Sequence, residues 1–199
     1  MMKSKSNFLS NFKSIIIAIF IALLIRSFGA EPFNIPSGSM KPNLLVGDFI
    51  FVSKWSYGYS KHSLPFSLPL LPKKIFSNMP EYGDIVVFKT PKDNRTDYIK
   101  RVIGLPGDKI KILDGQIIIN NNMILRKKLE DFIDINKYSE KKRIRKYKEY
   151  FFNNEFEVID MTDNGIADNT QVYTVPEGHF FVMGDNRDNS QDSRFINSV

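Results

Sequence analysis

The 199-residue chain contains no cysteine. Disulfides, thiolate catalysis and cysteine-based metal sites are therefore excluded, and redox chemistry leaves no clue to compartment. Histidine is almost as scarce. His62 and His179 stand far apart, so there is no H-E-x-x-H pair and no three-histidine zinc site. Acids are outnumbered, 22 against 28 Lys and Arg, giving a net charge of +6. The excess is local, since the stretch from Arg126 to Lys148 holds ten basic and four acidic residues. No zinc-finger spacing, recognition helix or aromatic RNA-binding stretch accompanies it, which argues against nucleic acid as a partner. A solvated charged face is the plain reading; anionic lipid or an acidic partner is the alternative.

One apolar run stands out. Ile15 to Ile25 (IIIAIFIALLI) is unbroken for eleven residues between Lys13 and Arg26. As a helix it covers about 16 Å of a hydrocarbon core roughly 30 Å thick. Extension from Phe12 to Phe28 brings it to about 25 Å, with Lys13 and Arg26 snorkelling to opposite surfaces. A short single-pass anchor over 14–29 is expected. A cleavable signal peptide ending near Ser27-Phe28-Gly29-Ala30 is the rival. Lys3, Lys5 and Lys13 precede the run and no acid comes before Glu31. Either way the N-terminus, 1–13, stays cytoplasmic and the body is exported.

Beyond Glu31 the pattern is of short strands punctuated by Pro and Gly. Val46–Ser53, Asp84–Thr90, Tyr98–Ile103, Lys109–Leu113, Gln116–Ile119, Gln171–Val175 and His179–Met183 are rich in β-branched and aromatic residues. Asp114-Gly115 reads as a two-residue hairpin turn. The expected fold is mainly β, built of coiled antiparallel sheets or a small barrel. Leu125–Phe152 is the one stretch after the anchor with helical potential. Tyr57–Pro80, with four prolines among leucines and phenylalanines, reads as an apolar loop that packs over the core or dips into the membrane interface. The expected organisation is a catalytic β domain over 30–108 and 175–199, with a subdomain carrying the basic stretch inserted at 109–174.

Three polar clusters sit among apolar neighbours. In Ile35-Pro36-Ser37-Gly38-Ser39-Met40-Lys41-Pro42 the prolines and Gly38 allow a stiff, tight turn that presents a serine beside free backbone N–H groups. In Tyr98-Ile99-Lys100-Arg101-Val102 the period-two pattern puts Tyr98, Lys100 and Val102 on one face. Burial there disfavours the ammonium, and a neutral amine can take a proton from a hydroxyl. The third cluster is GDNRDNSQDSR, residues 184–194. Its spacing fails as a calcium loop, because Arg187 or Ser193 falls at a required position. Its alternating Asp and Arg read instead as a self-satisfied ionic network that could present a hydroxyl such as Ser190. His179 lacks a nucleophile-elbow partner and reads as structural. The S-x-x-K matches at Ser10–Lys13 and Ser139–Lys142 look accidental.

Taken in order, ALLIRSF, PSGSMKPNL, GDFIFVSKWSYG, YIKRVIGLPGD and GDNRDNSQDSR resemble the bacterial type I signal peptidases, or leader peptidases, across most of the chain. The resemblance implies a membrane-bound endopeptidase that removes signal peptides from exported preproteins by Ser-Lys acyl-enzyme catalysis. Ser39 would be the nucleophile and Lys100 the general base. Ser37 would complete an oxyanion hole with the Ser39 N–H, and Ser190 would orient the Lys100 amine. Asp185, Asp192 and Arg194 would support the loop. Ile35, Pro36 and Ile99 would line shallow pockets for small side chains. No cofactor or metal is implied. The expected partners are preproteins and membrane lipid, and the expected state is a monomer on the outer face of the bacterial plasma membrane. Two departures are visible. A single membrane segment is present where some relatives have two, and the chain stops five residues after Arg194 where relatives continue. The alternatives are a truncated, inactive anchored relative acting as a binding protein, or a self-cleaving Ser-Lys repressor relative, against which the membrane run argues.

Overall fold

The structure is a computed structural model that describes residues 3–58, 78–135 and 140–195. Helix α1 spans Lys3–Phe28 and leads into β1 (Ala30–Asn34), which pairs antiparallel with β2 (Phe49–Ser53). With 49–79, residues 1–34 form one compact unit; 35–48 and 80–199 form the other. In the first unit Phe49 and Phe51 are 76% and 78% exposed, and Lys54 pairs with Glu31 at 2.8 Å. Among the described residues no helix is long and apolar enough to cross a membrane. Most of the Pro-rich stretch, residues 59–77, lies outside the described residues, as do His62 and Ser139.

The second unit is antiparallel β throughout its named strands. β3 (Ile85–Lys89), β4 (Asp97–Gly104) and β13 (Phe181–Met183) form one sheet with β4 in the centre. Central placement buries β4 on both faces from Ile99 onward. β5 (Lys109–Leu113) and β6 (Gln116–Ile119) form a hairpin whose turn residues Asp114 and Gly115 have φ of 47° and 73°. Such turns demand two left-handed residues, which is why Asp-Gly serves there. β7 (Asn122–Met123) and β12 (Tyr173–Thr174) extend this sheet. Isoleucines 103, 110, 112, 117 and 119 carry the core between the sheets, joined by Phe151, Val158 and Phe181. Each such side chain, fully buried, contributes roughly 1.5–3 kcal/mol.

The helical expectation for Leu125–Phe152 is overturned. The segment forms β8 (Leu125–Lys128), β9 (Phe132–Ile135) and β10 (Lys141–Phe151), and β10 pairs with β8, β9 and β11 (Asn154–Asp160). Period two explains this. Tyr147, Glu149 and Phe151 point one way along β10, and Glu149 and Phe151 lie in the interior. Among the basic side chains of the stretch, Lys146 pairs with Glu157 at 3.0 Å and Lys148 with Glu155 at 2.7 Å across the β10–β11 ladder.

Candidate active site

Ser39 sits in a single 3-10 turn, Gly38–Met40, that is buried at Ser39 and Met40. The chain on either side is held by backbone bonds, Ile35 N–H to Asp48 O and Gly47 N–H to Ile35 O, both 2.9 Å. The turn is clamped from the GDN loop. Asn186 donates its backbone N–H to Ser39 O and its Nδ2 to Gly38 O, each at 3.0 Å. These bonds leave the Ser39 hydroxyl aimed at β4.

Lys100, on that strand, is 5% exposed, and its Nζ lies 2.9 Å from Ser39 Oγ. Nζ also donates to Ile99 O at 3.1 Å and stands 5.2 Å from the centre of the Tyr98 ring. Burial pushes the Lys100 amine below the ordinary lysine range; Asp192 and Asp185 oppose the shift and Arg194 assists it. Both opposing carboxylates are already committed. Asp185 accepts from Arg101 Nε and Nη2, each at 2.7 Å, and Asp192 accepts from Arg194 Nε at 2.8 Å and Nη2 at 2.9 Å. Bidentate arginine pairs of this kind spend the negative charge locally. Among the described residues the amine is thus desolvated without a dedicated counter-ion.

Ser37 Oγ is 3.4 Å from Ser39 Oγ. Ile35 and Ile99 are buried, whereas Pro36 is exposed. Ser190 is buried and packs against Gly184, beside Ser39 O, but its Oγ has no hydrogen-bond partner among the described residues. An open depression of about 470 Å³ adjoins it, lined by Asp188, Asn189, Ser190, Gln191 and Phe195. His179 is exposed and its Nδ1 meets only Glu177 O, at 3.0 Å. Among the described residues no group of three or more His, Asp or Glu side chains is arranged to hold a metal ion.

The ionic loop is less self-contained than its sequence suggests. Among the described residues, Asp192–Arg194 is the one ion pair that closes within it. Asp185 reaches Arg101, Arg187 pairs with Glu149 through bonds of 2.9 and 2.6 Å, and Asp188 caps the N–H groups of Met161 and Thr162. Sequence reasoning assigned no role to Arg101, Glu149 or Asn43, whose Nδ2 donates to Asp185 Oδ2 and to Glu157 O at 2.7 Å. The alternation of β4 could have flagged Arg101, which lies on the face opposite Lys100. Nothing local marks Glu149.

A serine hydroxyl in hydrogen-bond contact with a buried lysine, on an antiparallel β body, is the arrangement of the serine–lysine class of hydrolases. The family model described as "Signal peptidase, peptidase S26" matches residues 8–199. Signal peptidase I of Rickettsia typhi (strain ATCC VR-144 / Wilmington) is 44% identical over 197 residues, 96% of this chain and 75% of that protein. The Rickettsia conorii (strain ATCC VR-613 / Malish 7) signal peptidase I is 46% identical over 181 residues, 88% of this chain and 68% of that one. A crystal structure of a signal peptidase I from Enterococcus faecalis V583 aligns with 61% of this chain and 90% of its own, at 27% identity and a TM-score of 0.35. On the family match and the Rickettsia relatives, the chain belongs to the signal peptidase family, peptidase S26.

Proposed function

We propose that this chain is a serine endopeptidase that removes N-terminal signal peptides from exported preproteins, with Ser39 as nucleophile and Lys100 as general base. The observation that carries the reading is the 2.9 Å approach of a buried, poorly neutralised amine to a hydroxyl held on a clamped turn, in a member of this family. As a neutral amine, Lys100 accepts the Ser39 proton while Oγ bonds to the scissile carbonyl carbon. The carbonyl π electrons move to oxygen, where the Ser39 N–H and the Ser37 hydroxyl receive the negative charge. Lys100 then returns the proton to the leaving nitrogen as the C–N bond breaks. Water, deprotonated by the same amine, hydrolyses the resulting ester. Asp185, Asp192 and Arg194 hold the loop that carries Ser190; the expected role of Ser190 in orienting the Lys100 amine has no hydrogen bond behind it among the described residues, where Lys100 Nζ donates to Ser39 Oγ and Ile99 O instead. Ile35, Pro36 and Ile99 border the pockets for small substrate side chains.

Helix α1 serves as a single-pass anchor in the bacterial plasma membrane, with the N-terminus cytoplasmic and the catalytic body on the outer face. Its run Ile15–Ile25 supports this, as do the outward-facing Ile15, Ile17 and Phe20, which are 55–60% exposed. The basic residues ahead of the run set the orientation. The enzyme acts as a monomer on substrates delivered at the membrane surface. Ser39→Ala and Lys100→Ala are each expected to abolish cleavage of a preprotein by the full chain in detergent while leaving its melting temperature in place. Wild-type cleavage by either variant would reject the dyad.

A further inference from the structure

The nucleophile's turn is tied to the inserted sheet by a contact that the chemistry above does not use. Lys41 Nζ meets Asp134 Oδ1 on β9 at 2.5 Å, across 93 residues of sequence, with the two side chains 17% and 25% exposed. Lys41 closes the 3-10 turn, its own N–H returning to Gly38 O at 3.3 Å. On its way to Asp134 its stem crosses Gly38, placing Cε 3.3 Å and Cδ 3.5 Å from where a Gly38 Cβ would stand. The lysine stem thus packs beside Gly38, whose carbonyl oxygen is held by Lys41 N–H and Asn186 Nδ2.

A peptide group is planar. Whatever fixes Gly38 O also fixes the direction of the Ser39 N–H on the other side of that plane. This N–H is one of the two oxyanion donors in the reading above, and donors of that kind work only when aimed in advance. Among the described residues of its own hairpin, Asp134 has no competing partner. Lys142, opposite it across the β9–β10 ladder, turns its amine to Met161 Sδ at 4.0 Å. The hairpin that carries part of the basic stretch thus offers the nucleophile's turn an acid, not a base.

We propose that Lys41 and Asp134 are positioning residues. Their ion pair lets the β9–β10 hairpin hold the Gly38–Ser39 peptide, and its N–H with it, at the angle the tetrahedral intermediate needs. The proposal rests on the signal-peptide-cleaving reading. A pair still partly open to solvent adds little to global stability, so its signature is a fall in kcat with KM and melting temperature nearly unchanged.

The test uses the full chain in detergent with a preprotein substrate. Lys41→Ala, Asp134→Ala and Asp134→Lys are each expected to lower kcat about fivefold, the scale of coupling between residues in direct contact. The reversed pair Lys41→Glu with Asp134→Lys recovers kcat to within about twofold of wild type, because a salt bridge of opposite polarity restores the tether. Added salt lowers the wild-type kcat toward that of Asp134→Ala and leaves the variant unmoved. Glu155→Lys breaks an ion pair elsewhere in the same sheet and leaves kcat as it was. The proposal is overturned by unchanged kcat in the single variants. It is overturned equally if the reversed pair does no better than Asp134→Lys, or if the losses merely follow a lowered melting temperature. Failure of the proteolytic reading itself looks different, since Ser39→Ala would then cleave as well as the wild type.

Discussion

Gly184→Ala tests how tightly the GDN loop is fitted against Ser39. A Cβ at Gly184 would overlap Ser190 Oγ outright and stand 2.5 Å from Ser190 Cβ and 2.6 Å from Ser39 O. The Gly184 backbone is itself pinned by its N–H to Asp192 Oδ2 at 3.0 Å, and Ser39 O is pinned by the Asn186 N–H. Bringing the closest backbone contact out to an allowed separation requires at least about 0.4 Å of relative movement. Ser190 must move as well. Overpacking of this kind costs about 1–3 kcal/mol, and a shift approaching 1 Å at a reacting group can cost about a hundredfold in rate. The variant is expected to fold, to lose a few degrees in melting temperature, and to lose about ten- to a hundredfold in kcat on a preprotein substrate. Gly38→Ala is the matched control. Its nearest neighbour is the Lys41 stem at 3.3 Å, which need give by only a few tenths of an ångström, so its loss should stay near threefold. Wild-type kcat in Gly184→Ala, or a greater loss in Gly38→Ala, would refute this account of the packing.

Three further outcomes follow from the electrostatics. Cleavage rises with pH as Lys100 loses its proton, and because burial lowers that pKa the acid limb should centre below the ordinary lysine range; Lys100→Arg, charged at every accessible pH, should be inactive throughout the pH–rate profile. Glu149→Ala leaves the buried Arg187 guanidinium without its bidentate partner; thermal melts should show a loss of about 3–5 kcal/mol, on the order of 10 °C. The Tyr82 phenol is raised to about 12 by burial and by its bond to Asp108; alkaline difference spectra against Tyr82→Phe should show that late titration, and Asp108→Asn should move it earlier.

The features written locally in the chain were the legible ones. The Asp114-Gly115 turn demands two left-handed residues and has them. The β5–β6 hairpin and the central strand β4 announce themselves through branched residues, and these elements form as expected. The apolar run of α1, the stiff turn around Ser39 and the order of the boxes needed no coordinates. The helical reading of Leu125–Phe152 fails because what makes the segment a sheet lies on other strands, including the acids up to eleven residues away that pair with Lys146 and Lys148.

Only tertiary structure decided the rest. A lysine's protonation depends on what surrounds its nitrogen, and Lys100 is dried and set against Ser39 across 61 residues of chain. The two carboxylates that oppose the downward shift of its pKa are themselves paired with Arg101 and Arg194. Desolvation and charge pairing are properties of a neighbourhood in space. Residue types and spacing supplied the participants, while the packing of β4, the GDN loop and the β9–β10 hairpin set the distances on which their chemistry depends.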